Sequence, residues 1–150
     1  MAELDLAVHA RIEELCASGD QFAEKRNFAD ALGCYWKAYD LIPDPKTDWE
    51  TSTWVLVAIG DSNFLSGDFI AGRDNLQSAM HCPDAVGNPF IHLRLGQCQL
   101  ELGNEQLAAD ELARAFMSGG MEIFRGQNPR YLRLLKSRLK PPPGGWPDER

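Results

Sequence analysis

The chain is poor in the features that mark most chemistries. Its four cysteines, Cys16, Cys34, Cys82 and Cys98, form no Cys-x-x-Cys pair, and no His or Asp stands beside them at metal-ligand spacing. They read as small buried side chains in a reducing compartment. No stretch approaches the roughly 18 apolar residues of a membrane span. The opening MAELDLAVHARIEELCASGD lacks the basic region and apolar run of a secretory signal. A cytoplasmic, unprocessed protein without membrane association is expected. There is no Walker loop, nucleotide fingerprint or HExxH, and His9, His81 and His92 lie in no triad motif. No catalytic, cofactor-binding or metal-ligating residue is assigned, and the chain is not expected to be an enzyme. Basic residues are few as well. With 15 Lys and Arg against 22 Asp and Glu, the net charge of −7 argues against a nucleic-acid partner.

What is present is repetition. At 150 residues the chain fits one domain, and 44% hydrophobic residues suffice for one core. Gly19, Gly60 and Gly96 align; twelve residues after each come Ala31, Gly72 and Ala108, and nineteen after each come Ala38, Ala79 and Ala115. All nine positions are Gly or Ala, types that make up about a fifth of the chain. Three places before the last column stand the large residues Tyr35, Leu76 and Leu112. Small columns at this spacing predict paired helices packed closely, where a larger side chain would push the axes apart.

Periodicity and turn residues predict helices at about 4–26, 28–42, 49–66, 69–81, 89–102 and 105–118, and no strand. Gly67 and Gly103 suit left-handed helix ends, whereas Arg26 breaks that pattern. Asp48 or Thr51 is expected to cap the third helix and Asn88, before Pro89, the fifth. A last helix at about 129–140, with Asn128 as its N-cap and Pro129 in its first turn, covers the apolar end. The domain is expected to run over 1–140, with repeats at about 12–45, 53–86 and 89–122 and a flexible Pro/Gly-rich tail at 141–150. In the polar-looking stretch NPFIHLRLGQCQLELGN, His92, Leu95 and Gln99 fall on packing columns.

Residues 23–44, AEKRNFADALGCYWKAYDLIPD, carry Phe28, Ala31, Tyr35, Ala38 and Pro43 as the second half of a tetratricopeptide (TPR) repeat does. Over roughly residues 12–122 the chain resembles that family. The resemblance implies an all-α solenoid of three helix-turn-helix repeats with a C-terminal capping helix. It also implies a partner-binding concave face on the first helix of each repeat. Carried over, that face comprises Glu13, Cys16, Asp20, Ala23 and Glu24; then Trp54, Val57, Asp61, Phe64 and Leu65; then Phe90, Leu93, Gln97, Leu100 and Glu101. Acidic and aromatic residues dominate, which suits a basic partner with an apolar anchor. No Lys or Arg is present to form the carboxylate clamp of TPR co-chaperones. Arg130, Arg133 and Lys136 on the last helix offer a second contact surface, and the chain is expected to be a monomer or weak homodimer. The wording of residues 82–136 further resembles small bacterial TPR proteins that accompany secreted Rhs-type toxins. That resemblance implies an immunity protein that blocks a basic toxin or effector domain. The alternative is a secretion chaperone, because NPFIHLRLGQCQLELGN is also similar to the third repeat of type III translocator chaperones.

Overall fold

The computed structural model describes residues 3–149, and it is all-helical, with no strand among them. The helices are α1 (Leu6–Glu24), α2 (Phe28–Asp40), α3 (Glu50–Ser66), α4 (Phe69–Ala79), α5 (Pro89–Glu101), α6 (Glu105–Gly119) and α7 (Pro129–Arg138). Each falls within a few residues of its expected range. The chain forms two compact units, one ending at Val86 and one starting at Gly87. In the first, α1 packs on α2, α2 on α3 and α3 on α4; in the second, α5 packs on α6 and α6 on α7.

The small columns do the work expected of them. A Cβ placed on Gly19 would lie 2.6 Å from the Tyr35 ring, one on Gly60 2.6 Å from Leu76 Cγ, and one on Gly96 2.9 Å from Leu112 Cγ. In each pair, therefore, the glycine of the first helix admits the large side chain sixteen residues on. All nine small-column residues and the three large ones are buried. Contacts this close leave no room for a side chain, and overpacking them would cost at least about 1–3 kcal/mol.

The turns repeat too. Asn27 N–H donates to Phe22 O at 2.9 Å, Asp68 N–H to Asn63 O at 2.9 Å and Asn104 N–H to Gln99 O at 2.8 Å. These bonds close the same left-handed helix end three times. Gly67 and Gly103 adopt φ of 87° and 83°, as expected, and Arg26 adopts φ of 60°. The first turn is thus the same turn built with an unfavourable residue, its guanidinium resting over the Phe28 ring at 5.2 Å. Asn88 accepts from the N–H groups of Phe90 and Ile91, and Asn128 from that of Arg130, as expected. The α3 start differs: its N-cap is Trp49, which makes no capping bond, in place of Asp48 or Thr51. The Trp49 indole N–H instead donates to Pro43 O at 2.9 Å and holds the preceding loop.

The C-terminal segment departs from an open tail. Gly144 and Gly145 take φ of 84° and 86°, Gly145 N–H donates to Pro142 O, and the chain reverses. Trp146 is then only 4% exposed, edge-on to Phe116 at 5.6 Å, and Lys136 pairs with Asp148 at 2.7 Å. Burial of one large indole outweighs the freedom of a few residues already restricted by three prolines.

Candidate functional site

Helix α1 buries only Ile12, Leu15 and Gly19, one narrow stripe along its length. Its other exposed face, with α3 and Tyr35 of α2, walls a cleft of about 370 Å³. Ile12, Val55 and Ala58 make its apolar floor, and Glu13, Cys16, Asp20 and Trp54 stand around it. Trp54 is 44% exposed, and its indole N–H donates to Glu50 at 3.2 Å. The Tyr35 hydroxyl donates to Asp20 at 2.5 Å, while His9 pairs with Glu13 at 2.8 Å. Helix α3 contains no Lys or Arg, and the one arginine of α1, Arg11, is held by Glu14 at 3.1 Å.

The cleft is electrostatically negative. Burial pushes the Cys16 thiol up, and Asp20, Cys34 and Glu13 push it further. The Tyr35 phenol is raised far above its usual range by burial first, then by its bond to Asp20 and that carboxylate's charge. Both groups are held in their neutral forms. His9 and Cys16 share the cleft, but a thiol raised in this way is the reverse of an activated nucleophile. Among the described residues no group of three or more His, Cys, Asp or Glu is placed to hold a metal ion.

The structure thus brings Glu13, Asp20 and Trp54 together. Glu24 is exposed at the end of α1, and Val57 is nearly closed off at 9% exposure. Asp61 and Phe64 are half-buried, Phe64 against Phe69 at 5.7 Å. The residues expected on α5 fare differently. Leu93 and Gln97 are 1% and 0% exposed, so as the protein stands they cannot meet a partner. Gln97 and Arg94 bond to the Gln127 side chain at 2.8 and 3.1 Å, and Arg94 also bonds to Gln97 at 2.7 Å and lies over Phe90. Glu101 is taken by Tyr131 at 2.7 Å and by Arg130. The C-terminal segment therefore covers Gln97 and Glu101 of the face that the family resemblance assigned to a partner.

The α7 surface is similarly committed. Arg130 holds Glu101, Lys136 holds Asp148 and caps the Trp146 ring, and Arg138 holds Glu105 at 2.9 Å. Arg133 is exposed beside a hollow of about 480 Å³ that Leu100 and Leu134 also line. His92 is a structural residue, 1% exposed, with Nδ1 2.6 Å from Glu111 and Nε2 accepting from Gly87 N–H at 3.0 Å. Leu95 and Gln99 are buried as expected. Sequence reasoning placed Tyr35 in packing alone and missed it as a cleft residue. The signal was there: it occupies a column that holds Leu in the other repeats, so its hydroxyl needed a polar neighbour.

A comparison with protein-family models finds no family that matches the chain, and a comparison with curated proteins finds no match. No helix among the described residues is long and apolar enough to cross a membrane.

Proposed function

We propose that the three helix pairs are tetratricopeptide repeats closed by a capping helix, and that the chain is a non-catalytic scaffold binding a basic protein. The repeat part rests on the glycine contact and the left-handed turn, each recurring three times. The cleft of the first unit is the observation that carries the function. It offers an apolar floor, a half-exposed indole and carboxylates with no lysine or arginine among them. Such a surface suits an apolar anchor flanked by positive charge, and its raised thiol disfavours nucleophilic chemistry.

The resemblance to small TPR proteins that accompany Rhs-type toxins makes the proposal specific. The protein is an immunity protein, acting in the cytoplasm by stoichiometric occlusion of a toxin domain, without turnover. The toxin domain encoded beside its gene should co-elute with it at one to one, and co-expression should protect cells from that toxin. Absence of both complex and protection would sink the proposal.

A further inference from the structure

The scaffold reading leaves open what the cleft of the first unit recognises, and this inference rests on that reading. We propose that the cleft is an anchor pocket for one long basic side chain of the partner, an arginine in preference to a lysine. Its size, about 370 Å³, suits one extended side chain rather than a folded element. Ile12, Val55 and Trp54 offer a surface for an aliphatic stem, and Glu13 and Asp20 stand at the rim for the charged head.

Charge complementarity names the occupant. Among the described residues no lysine or arginine lines the cleft, and its histidine, His9, pairs with Glu13. Asp20 accepts one hydrogen bond, from Tyr35, and a carboxylate has further lone pairs to offer a second donor. Tyr35 and Cys16 are raised by burial first, and the Asp20 carboxylate beside both adds to the rise. Arginine is preferred because its planar head stacks on an indole and forks onto a carboxylate, whereas an ammonium is a strongly hydrated point charge.

The test uses the full chain and a labelled 14-residue helical peptide with a leucine face and one central arginine, read by fluorescence anisotropy. Three further peptides replace the arginine with lysine, with citrulline and with glutamate. Citrulline keeps the shape and removes the charge. The expected order is arginine, lysine, citrulline, glutamate, with citrulline about tenfold weaker than arginine. Asp20→Asn, which still accepts from Tyr35, should weaken the arginine peptide about fivefold to tenfold and leave the citrulline peptide unchanged. Trp54→Ala should weaken both, and Asp110→Asn on α6 neither. Equal binding of arginine and citrulline peptides, no binding by any peptide, or indifference to Asp20→Asn overturns the pocket. Sedimentation of the protein alone covers the other occupant: self-association abolished by Asp20→Asn would assign the pocket to a second copy and overturn a foreign partner. A toxin domain that binds Asp20→Asn and Trp54→Ala as well as wild type removes the pocket but leaves the scaffold reading intact. A wild-type chain that binds no protein removes the scaffold reading.

Discussion

The helices α1 and α5 occupy the same place in their repeats and meet opposite fates. Each packs a glycine against the large residue sixteen positions on. Yet α1 buries three residues and α5 buries nine in an unbroken run, from Ile91 to Gln99. On α1 the face beyond the glycine stays open and borders a cleft. On α5 it is filled by Gln127 and Tyr131, brought there by the segment after α6. The helix pattern therefore decides how a repeat packs internally, while its remaining face becomes core or surface according to what the rest of the chain lays upon it.

The sharpest way to break this comparison is to overfill the shared contact. Gly96→Leu should destabilise the second unit by at least about 3 kcal/mol, because Leu112 and the Ala108 carbonyl both crowd the site, the latter 3.2 Å from a Cβ. Gly19→Leu should cost less, since the Tyr35 ring borders the open cleft and can swing into it. Equal losses in denaturant melts would mean that the two faces are equally closed. Next in size is the closure itself. Trp146→Ala should cost about 2 kcal/mol, below the usual loss for a core indole because the segment can detach rather than leave a cavity. An unchanged melting temperature would show that the C-terminal turn contributes nothing to the second unit.

A smaller effect should separate the two units by pH. The folded pKa of Tyr35 lies above the unfolded value of about 10. The folded state then keeps its proton when the unfolded state has lost it. This contribution is complete below pH ~10 and falls as pH rises beyond, by up to about 1.4 kcal/mol per pH unit. Tyr35→Phe should flatten that alkaline fall. The corresponding residue of the second unit, Leu112, carries no titrating group, so Leu112→Met should leave the pH profile unaltered. A Tyr35→Phe profile parallel to wild type would refute the assignment. The smallest effect concerns the one turn built without glycine. Arg26→Gly should stabilise by about 0.5–1 kcal/mol, the relief of φ at 60° exceeding the lost contact with Phe28. A loss of stability would mean that the guanidinium contact dominates.

The helices were legible in the sequence because their signals are local. Pro89 after Asn88, Gly67, Gly103 and the spaced Ala and Gly columns each fix a boundary or a contact within one repeat. Asp20, Glu13 and Trp54, which line one cleft, could be named together because the family resemblance carries one face over to each first helix. What escaped was non-local. Nothing near Leu93 or Gln97 tells that Gln127, thirty residues on, reaches them. Arg26 hid a turn identical to its neighbours, since the composition rule names glycine and the hydrogen bonds do not require it. Trp146 gave a fair warning: a lone indole among prolines and glycines is costly to leave in water. Its partner Phe116 sits in another helix and could not be named in advance.

The burial of Trp146 also furnishes the molecule with an optical reporter. Of the four tryptophans, Trp36, Trp49 and Trp54 lie in the first unit, and the first and last of these are already over a third exposed. Trp146 is the sole indole of the second unit and the most shielded of the four. Its emission should shift strongly to the red when that unit opens, while ligands entering the cleft should register first at Trp54. One fluorescence spectrum thus resolves recognition in one half of the chain from integrity in the other, with no label attached.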